Sequence, residues 1–224
     1  MKLYHSPSSP FVRKVMVVAH ELGLASRLEL VPSAAHPVNR DAGLVAANPL
    51  GKVPALVTDD ATVLYDSRVI CEYLDREAGG KLFPATDALR WRVLRDQALG
   101  DGLLDAAVLA RYEVAVRPEP CRWQPWTDGQ LAKVTSCLAV IEADADRYGE
   151  RVDIGTIAIG CALGYLDFRF ADLGWRDAHP HAAAWFARFA ARPSMQASAP
   201  PAAPAAAPST PPVTSGAPAA RGSR

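Results

Sequence analysis

Asn48-Pro49-Leu50-Gly51-Lys52-Val53-Pro54-Ala55-Leu56, followed by Tyr65-Asp66-Ser67-Arg68, is the stretch whose reading decides the fold. Pro54 stands between Val53 and the apolar run Ala55-Leu56-Val57. A proline has no N–H for a sheet ladder, so it belongs at the start of a strand and not inside one. An X–Pro bond adopts the cis form at a cost of only about 0.5–1 kcal/mol. With Val53–Pro54 cis, the backbone N–H and C=O of Val53 turn outward and can pair with an extended ligand as another strand would. Asp66 and Ser67 then open an amphipathic helix, Ser67 to Ala78, whose apolar face is expected to carry Val69, Ile70, Tyr73 and Leu74. A helix start offers free N–H groups and partial positive charge to a carboxylate, and Asp66 beside it can take an ammonium group. Singly, Asp-Ser before a helix is a cap. At this spacing the features describe one site for a small extended ligand with a carboxylate and an amine at one end and a peptide backbone in its middle.

These residues resemble the glutathione S-transferase family, in a bacterial, serine-type form. The similarity runs from Met1 to Pro200 and is most specific at Ser6-Pro7-Ser8-Ser9-Pro10-Phe11-Val12-Arg13-Lys14, at Asn48 to Leu56 and at Tyr65 to Leu74. The resemblance implies glutathione as co-substrate, with its γ-glutamyl end at Asp66 and Ser67 and its cysteinyl backbone at Val53 and Pro54. Lys52 and His36 are further expected binding residues, His36 at the glycyl end. A homodimer, a cytoplasmic location and a role in detoxification are implied in the same way.

The pattern of elements agrees with that resemblance. Lys2–His5 reads as a strand, Pro10–Leu22 as a helix and Leu28–Val31 as a strand; a short helix at Asp41–Ala47 precedes strands Ala55–Thr58 and Thr62–Tyr65. This β-α-β then β-β-α order is a thioredoxin-like α/β domain, expected over residues 1–80 and ended by Gly79-Gly80. An all-α domain is expected over 81–198, with helices Asp87–Val116, Asp128–Tyr148, Thr156–Phe170 and Ala182–Ala191 and with Pro118, Pro120 and Pro125 marking the loop between the first two. Residues 199–224, almost entirely Ala, Pro, Ser, Thr and Gly, read as a disordered tail with little to bury.

Half of the 224 residues are hydrophobic, enough for a sizeable core, and 24 basic residues balance 24 acidic ones. That balance gives no reason to expect nucleic acid or a membrane surface as partner, and no run is long and apolar enough to span a bilayer. Cys71, Cys121, Cys137 and Cys161 form no Cys-x-x-Cys pair, and three of them fall in apolar helical patterns where thiols pack as small hydrophobes. The five histidines share no spacing with carboxylates that would build a metal site, so no metal is expected.

Chemistry belongs at the start of the first helix. Ser6, Ser8 and Ser9 follow the first strand, and Ser9 precedes Pro10, a favoured first helical residue. Ser9 is the expected catalytic residue, its hydroxyl and the first-turn amides favouring a bound thiolate; Ser6 and Ser8 are alternative donors. By the resemblance, serine here points to conjugation of small apolar electrophiles, whereas cysteine would point to thiol transfer. A non-catalytic glutathione-fold binding module and a glutathione-dependent reductase or peroxidase are the alternatives. The polar face around Arg13 and Lys14 is too short to count as a basic patch; Arg13, one turn into the helix, can add positive field beside Ser9, the alternative being an arginine on a solvated helical face. Trp91, Tyr112, Trp123, Trp126, Phe168 and Trp175 are aromatics the helical half can offer a second substrate. The resemblance implies Ser or Thr at 153 and Asp at 156 as a reciprocal helix cap; this chain has Asp153 and Thr156, an exchange expected to weaken part of the network.

Overall fold

A computed structural model describes residues 1–85 and 87–201. The expected tail lies, from residue 202 onward, outside the described residues. The first half runs β1 (Lys2–His5), α1 (Pro10–Glu21), β2 (Glu29–Pro32), α2 (Ala42–Ala47), β3 (Ala55–Val57), β4 (Val63–Leu64) and α3 (Ser67–Glu77). Its sheet has the order β2-β1-β3-β4, with β1 parallel to β2 and antiparallel to β3, and β3 antiparallel to β4. This is the thioredoxin-like arrangement. The second half is helical: α4 (Asp87–Ala115), α5 (Gln124–Tyr148), α6 (Ile154–Arg169), α7 (Trp175–Ala178), α8 (Pro180–Ala190) and α9 (Pro193–Ala197).

The core is continuous across both halves. Leu3, Val15, Val18, Leu56, Ile70 and Leu74 pack into one apolar cluster with Leu103, Ile157, Trp185 and Phe189. Helix α6 is its axis, buried on every face from Ile154 to Leu166, as a helix apolar all round must be. Its backbone lies directly against α4, because a Cβ built at Gly100 would sit 2.7 Å from the Ala158 carbonyl carbon. No single helix among the described residues is long and apolar enough to cross a membrane.

Several expectations are corrected. Val69 is 47% exposed; the buried face of α3 is Ser67, Ile70, Cys71 and Leu74, a tighter three-and-four spacing that leaves Val69 outside. α5 begins at Gln124, before the expected Asp128, because Pro125 stands in its first turn, where the missing N–H is one that no helix satisfies. α7 and α9, of four and five residues, are too short to carry a periodic signal. Lys14 is no solvated group: it is fully buried on α1.

The exchanged cap on α6 forms both of its bonds. The Thr156 N–H donates to Asp153 Oδ1 (2.9 Å), and the Asp153 N–H donates to Thr156 Oγ1 (3.0 Å). The pair is chemically symmetric, so swapping acid and hydroxyl does not weaken it. Thr156→Asp is therefore expected to lower the melting temperature by several degrees, since Oγ1 and Asp153 Oδ1 already lie 3.3 Å apart and a second carboxylate would face the first in a buried site. Asp153→Ser added to Thr156→Asp should recover the loss in the same thermal scan.

Candidate functional site

Strand register gathers the expected site residues at one end of the sheet. His5 stands opposite Pro32 and Tyr4 opposite Ala55, so the exits of β1 and β2 and the entrance of β3 share an edge. Leu56 opposite Leu64 brings Tyr65 and Asp66 out at that same end. The Ser6–Ser9 turn, the loop carrying His36, the Lys52-Val53-Pro54 segment and the start of α3 therefore converge.

Ser9 is the N-cap of α1, its Oγ accepting from the Val12 N–H at 3.3 Å. Because that bond uses a lone pair, the hydroxyl hydrogen is left free to donate. The Ser6 and Ser8 hydroxyls lie 3.5 Å apart. Ser8 and Ser9 both border a small cleft whose walls include Arg13, Tyr165 and Phe168.

Val53–Pro54 is cis, and no described residue hydrogen-bonds the N–H or C=O of Val53. Asn48, buried, holds this loop: its Nδ2 donates to the Lys52 carbonyl (2.8 Å) and its Oδ1 accepts from the Leu50 N–H (3.0 Å). Sequence reasoning gave Asn48 no role, although an asparagine heading a Pro- and Gly-containing turn is the signal for such a brace. The Lys52 side chain is exposed. Asp66 is the N-cap of α3, Oδ1 accepting from the Arg68 N–H at 2.9 Å, and Ser67 is buried at the first helical position. His36, half-buried, accepts at Nδ1 from the N–H groups of Val38 (3.2 Å) and Asn39 (3.0 Å). A neutral ring so bonded carries its proton on Nε2, which can donate to an anion.

Behind the site lies a charge cluster invisible in the sequence. Lys14 Nζ donates to Asp101 Oδ1 (2.5 Å), and Arg68 Nε donates to Asp101 Oδ2 (2.9 Å). Both Lys14 and Asp101 are inaccessible to solvent. One carboxylate of α4 thus ties α1 to the first turn of α3, next to Ser67. The sequence pattern of α4, about eight turns long, could not reveal it, because Asp101 is one acid among several on a long helix.

Cys161 borders the cleft, but burial pushes its thiol pKa up to about 11, against the smaller opposing pull of Arg13. Cys71 is pushed by burial to about 12. Neither is a thiolate at neutral pH. Of the aromatics offered by the helical half, Phe168 lines the cleft, whereas Trp175 is core, its Nε1 donating to Asp167 (2.9 Å). Trp91, Trp123 and Trp126 are exposed. Tyr165, which sequence reasoning passed over as a wall residue, faces the cleft beside Phe168. Among the described residues no group of three or more His, Cys, Asp or Glu side chains is placed to hold a metal ion.

Residues 8–77 match the glutathione S-transferase N-terminal domain and residues 124–188 the C-terminal domain. An uncharacterised GST-like protein of Escherichia coli K12, YibF, is 36% identical over 81% of this chain and 89% of its own. The chain belongs to the glutathione S-transferase family. Within that family, a member from Pseudomonas fluorescens Pf-5 solved with bound glutathione is 50% identical and superposes with a TM-score of 0.87, covering 89% of this chain and 98% of its own. A second Pf-5 structure, holding S-(propanoic acid)-glutathione, is 48% identical with a TM-score of 0.83, covering 90% and 100%. This glutathione S-transferase family member therefore shares its fold with proteins that bind glutathione and a conjugate of it.

Proposed function

We propose that the protein is a serine-type glutathione transferase, in which the Ser9 hydroxyl donates to the glutathione thiolate and the thiolate attacks a small electrophile held by the helical half. The observation that carries this is the convergence of the Ser9 cap, the open backbone edge of Val53 and the Asp66-Ser67 helix start at one end of the sheet. Glutathione laid along that edge pairs its cysteinyl N–H and C=O with Val53 as an added strand. Its γ-glutamyl carboxylate meets the first amides of α3 and its ammonium group Asp66. Lys52 and His36 Nε2 receive the glycyl carboxylate in this reading. The sulfur then faces the cleft between Ser9 and α6, and the conjugate held by the Pf-5 relative fits a sulfur open to a second substrate. The high thiol pKa values of Cys71 and Cys161 argue against a disulfide-forming reductase.

The same reading includes residues 1–80 as the glutathione-binding domain, residues 81–198 as the helical domain, and a soluble cytoplasmic homodimer. Val69 of α3 and Trp91 of α4 are exposed, and the Glu72–Arg90 pair (3.6 Å) holds these two stretches together as an apolar face a second copy can cover.

Calorimetric titration of glutathione tests the reading. Wild type should bind in the micromolar-to-millimolar range, and Asp66→Ala should weaken binding at least tenfold, roughly 1.4 kcal/mol, for loss of one charged contact. Affinity unchanged in the variant would remove Asp66 from the site.

A further inference from the structure

The basic groups around the cleft lack carboxylate partners. Arg13, one turn beyond Ser9 on α1, lines the cleft. Its Nη2 donates to the Met195 carbonyl (3.1 Å), while its Nε is buried and has no hydrogen-bond partner among the described residues. The guanidinium lies flat against α6 because residue 164 is glycine; a Cβ there would collide with Nη1. At the end of α6, Arg169 lays its guanidinium over the cleft residue Phe168, 3.8 Å from the ring centroid, with its own Nε buried and unpartnered among the described residues. Nearby Arg176 and Arg192 behave differently, being paired with Asp167 and Glu21. Arg13 and Arg169 form no ion pair among the described residues, so positive potential is left over beside a cleft whose walls include Tyr165 and Phe168.

A cation kept half-buried without a counterion is costly unless something supplies the charge. The planar fork of arginine matches a carboxylate in two places at once. We propose that the second substrate is a small electrophile carrying a carboxylate, received by Arg13 within the field of Arg169, with its apolar body on Tyr165 and Phe168 and its reactive carbon toward the thiolate at Ser9. The inference rests on the reading of the site as a glutathione transferase and narrows its second substrate to an anionic class.

A suitable probe is 4-chloro-3-nitrobenzoate, compared with its neutral twin 4-chloro-3-nitrobenzamide. The thiolate sulfur attacks the chlorine-bearing carbon, the C–S bond forms, the nitro-stabilised ring holds the electron pair, and chloride leaves with the C–Cl pair. The thiol proton has already gone to solvent, so glutathione and aryl chloride become conjugate, chloride and a proton.

The test measures binding of the two prepared conjugates, S-(4-carboxy-2-nitrophenyl)glutathione and its carboxamide, alongside glutathione alone, by calorimetry. Wild type should bind the carboxylate conjugate about tenfold more tightly than the amide, the scale of one charge-assisted hydrogen bond. Arg13→Gln and Arg169→Gln should each cut that preference to about threefold or less, with glutathione affinity retained. Turnover of the two aryl chlorides, each divided by its uncatalysed rate with glutathione, should show the same preference in kcat/KM. Equal binding of the twins by wild type, or a preference preserved in both variants, overturns the inference while leaving the transferase reading in place. Failure of glutathione itself to bind retires both.

Discussion

Asp101→Ala is expected to lower the melting temperature by roughly 10 °C. The carboxylate stands against Lys14 at 2.5 Å and Arg68 at 2.9 Å, and Lys14 has no access to water. Removing one partner of a buried pair leaves the other charge uncompensated, a loss of about 3–5 kcal/mol; in a protein of this size each kcal/mol moves the midpoint by about 2–4 °C. Arg68 escapes the same fate because its side chain is half exposed. Lys14→Met combined with Asp101→Leu should recover most of the loss, since well-packed apolar replacements of a buried pair are often neutral or stabilising. Glutathione affinity should stay reduced in that double variant, because Arg68, beside Ser67, has lost its anchor. A midpoint within about 2 °C of wild type in Asp101→Ala would refute this account of the cluster.

Ser9→Ala should reduce kcat/KM by about a hundredfold, while the glutathione dissociation constant changes by about threefold or less. One donor aimed at developing or resident negative charge is worth about 2.7 kcal/mol, which equals about two pKa units on the bound thiol. The sign follows directly. Ser9 favours the thiolate, so in wild type the thiolate absorbance of bound glutathione should appear at lower pH than in the variant, and turnover should level off at correspondingly lower pH. Ser9→Thr keeps both the hydroxyl and the cap and should retain most activity. Loss of the cap alone costs about 1 kcal/mol, which a melting curve separates from the kinetic effect. If Ser8→Ala, and not Ser9→Ala, moved the thiol pKa, the donor would be Ser8, which borders the same cleft.

Much of this was legible in the sequence where a signal is local. Proline ahead of an apolar run marked the entrance of β3, Asp66-Ser67 and Ser9-Pro10 marked two helix starts, and period-two and period-3.6 patterns ordered the elements. The register that brings those starts to one end of the sheet follows from that order. Long-range partners left no local trace. Lys14 looked like a solvated residue beside Arg13, and only the position of α4, placed by close approach at Gly100, shows that Asp101 meets it. Arg13 was legible as a source of positive field at the helix start, but its surroundings were not, because they are made by Gly164 and Met195, more than a hundred residues away. Val69 misled because an apolar residue on a helix signals core only when its angle matches its neighbours, and Ile70, Cys71 and Leu74 define a face that excludes it.

The mirrored cap at Asp153 and Thr156 also constrains how such a pair can change over descent. Starting from a hydroxyl at 153 and an acid at 156, the order that the family resemblance implies, two single steps reach the present state. One route passes through two carboxylates facing each other without solvent. The other passes through two hydroxyls, each able to give or take a hydrogen bond. The second avoids the facing carboxylates, so two hydroxyls are the less costly intermediate. Two replacements that look unlike when taken singly are then one bond pair written in reverse.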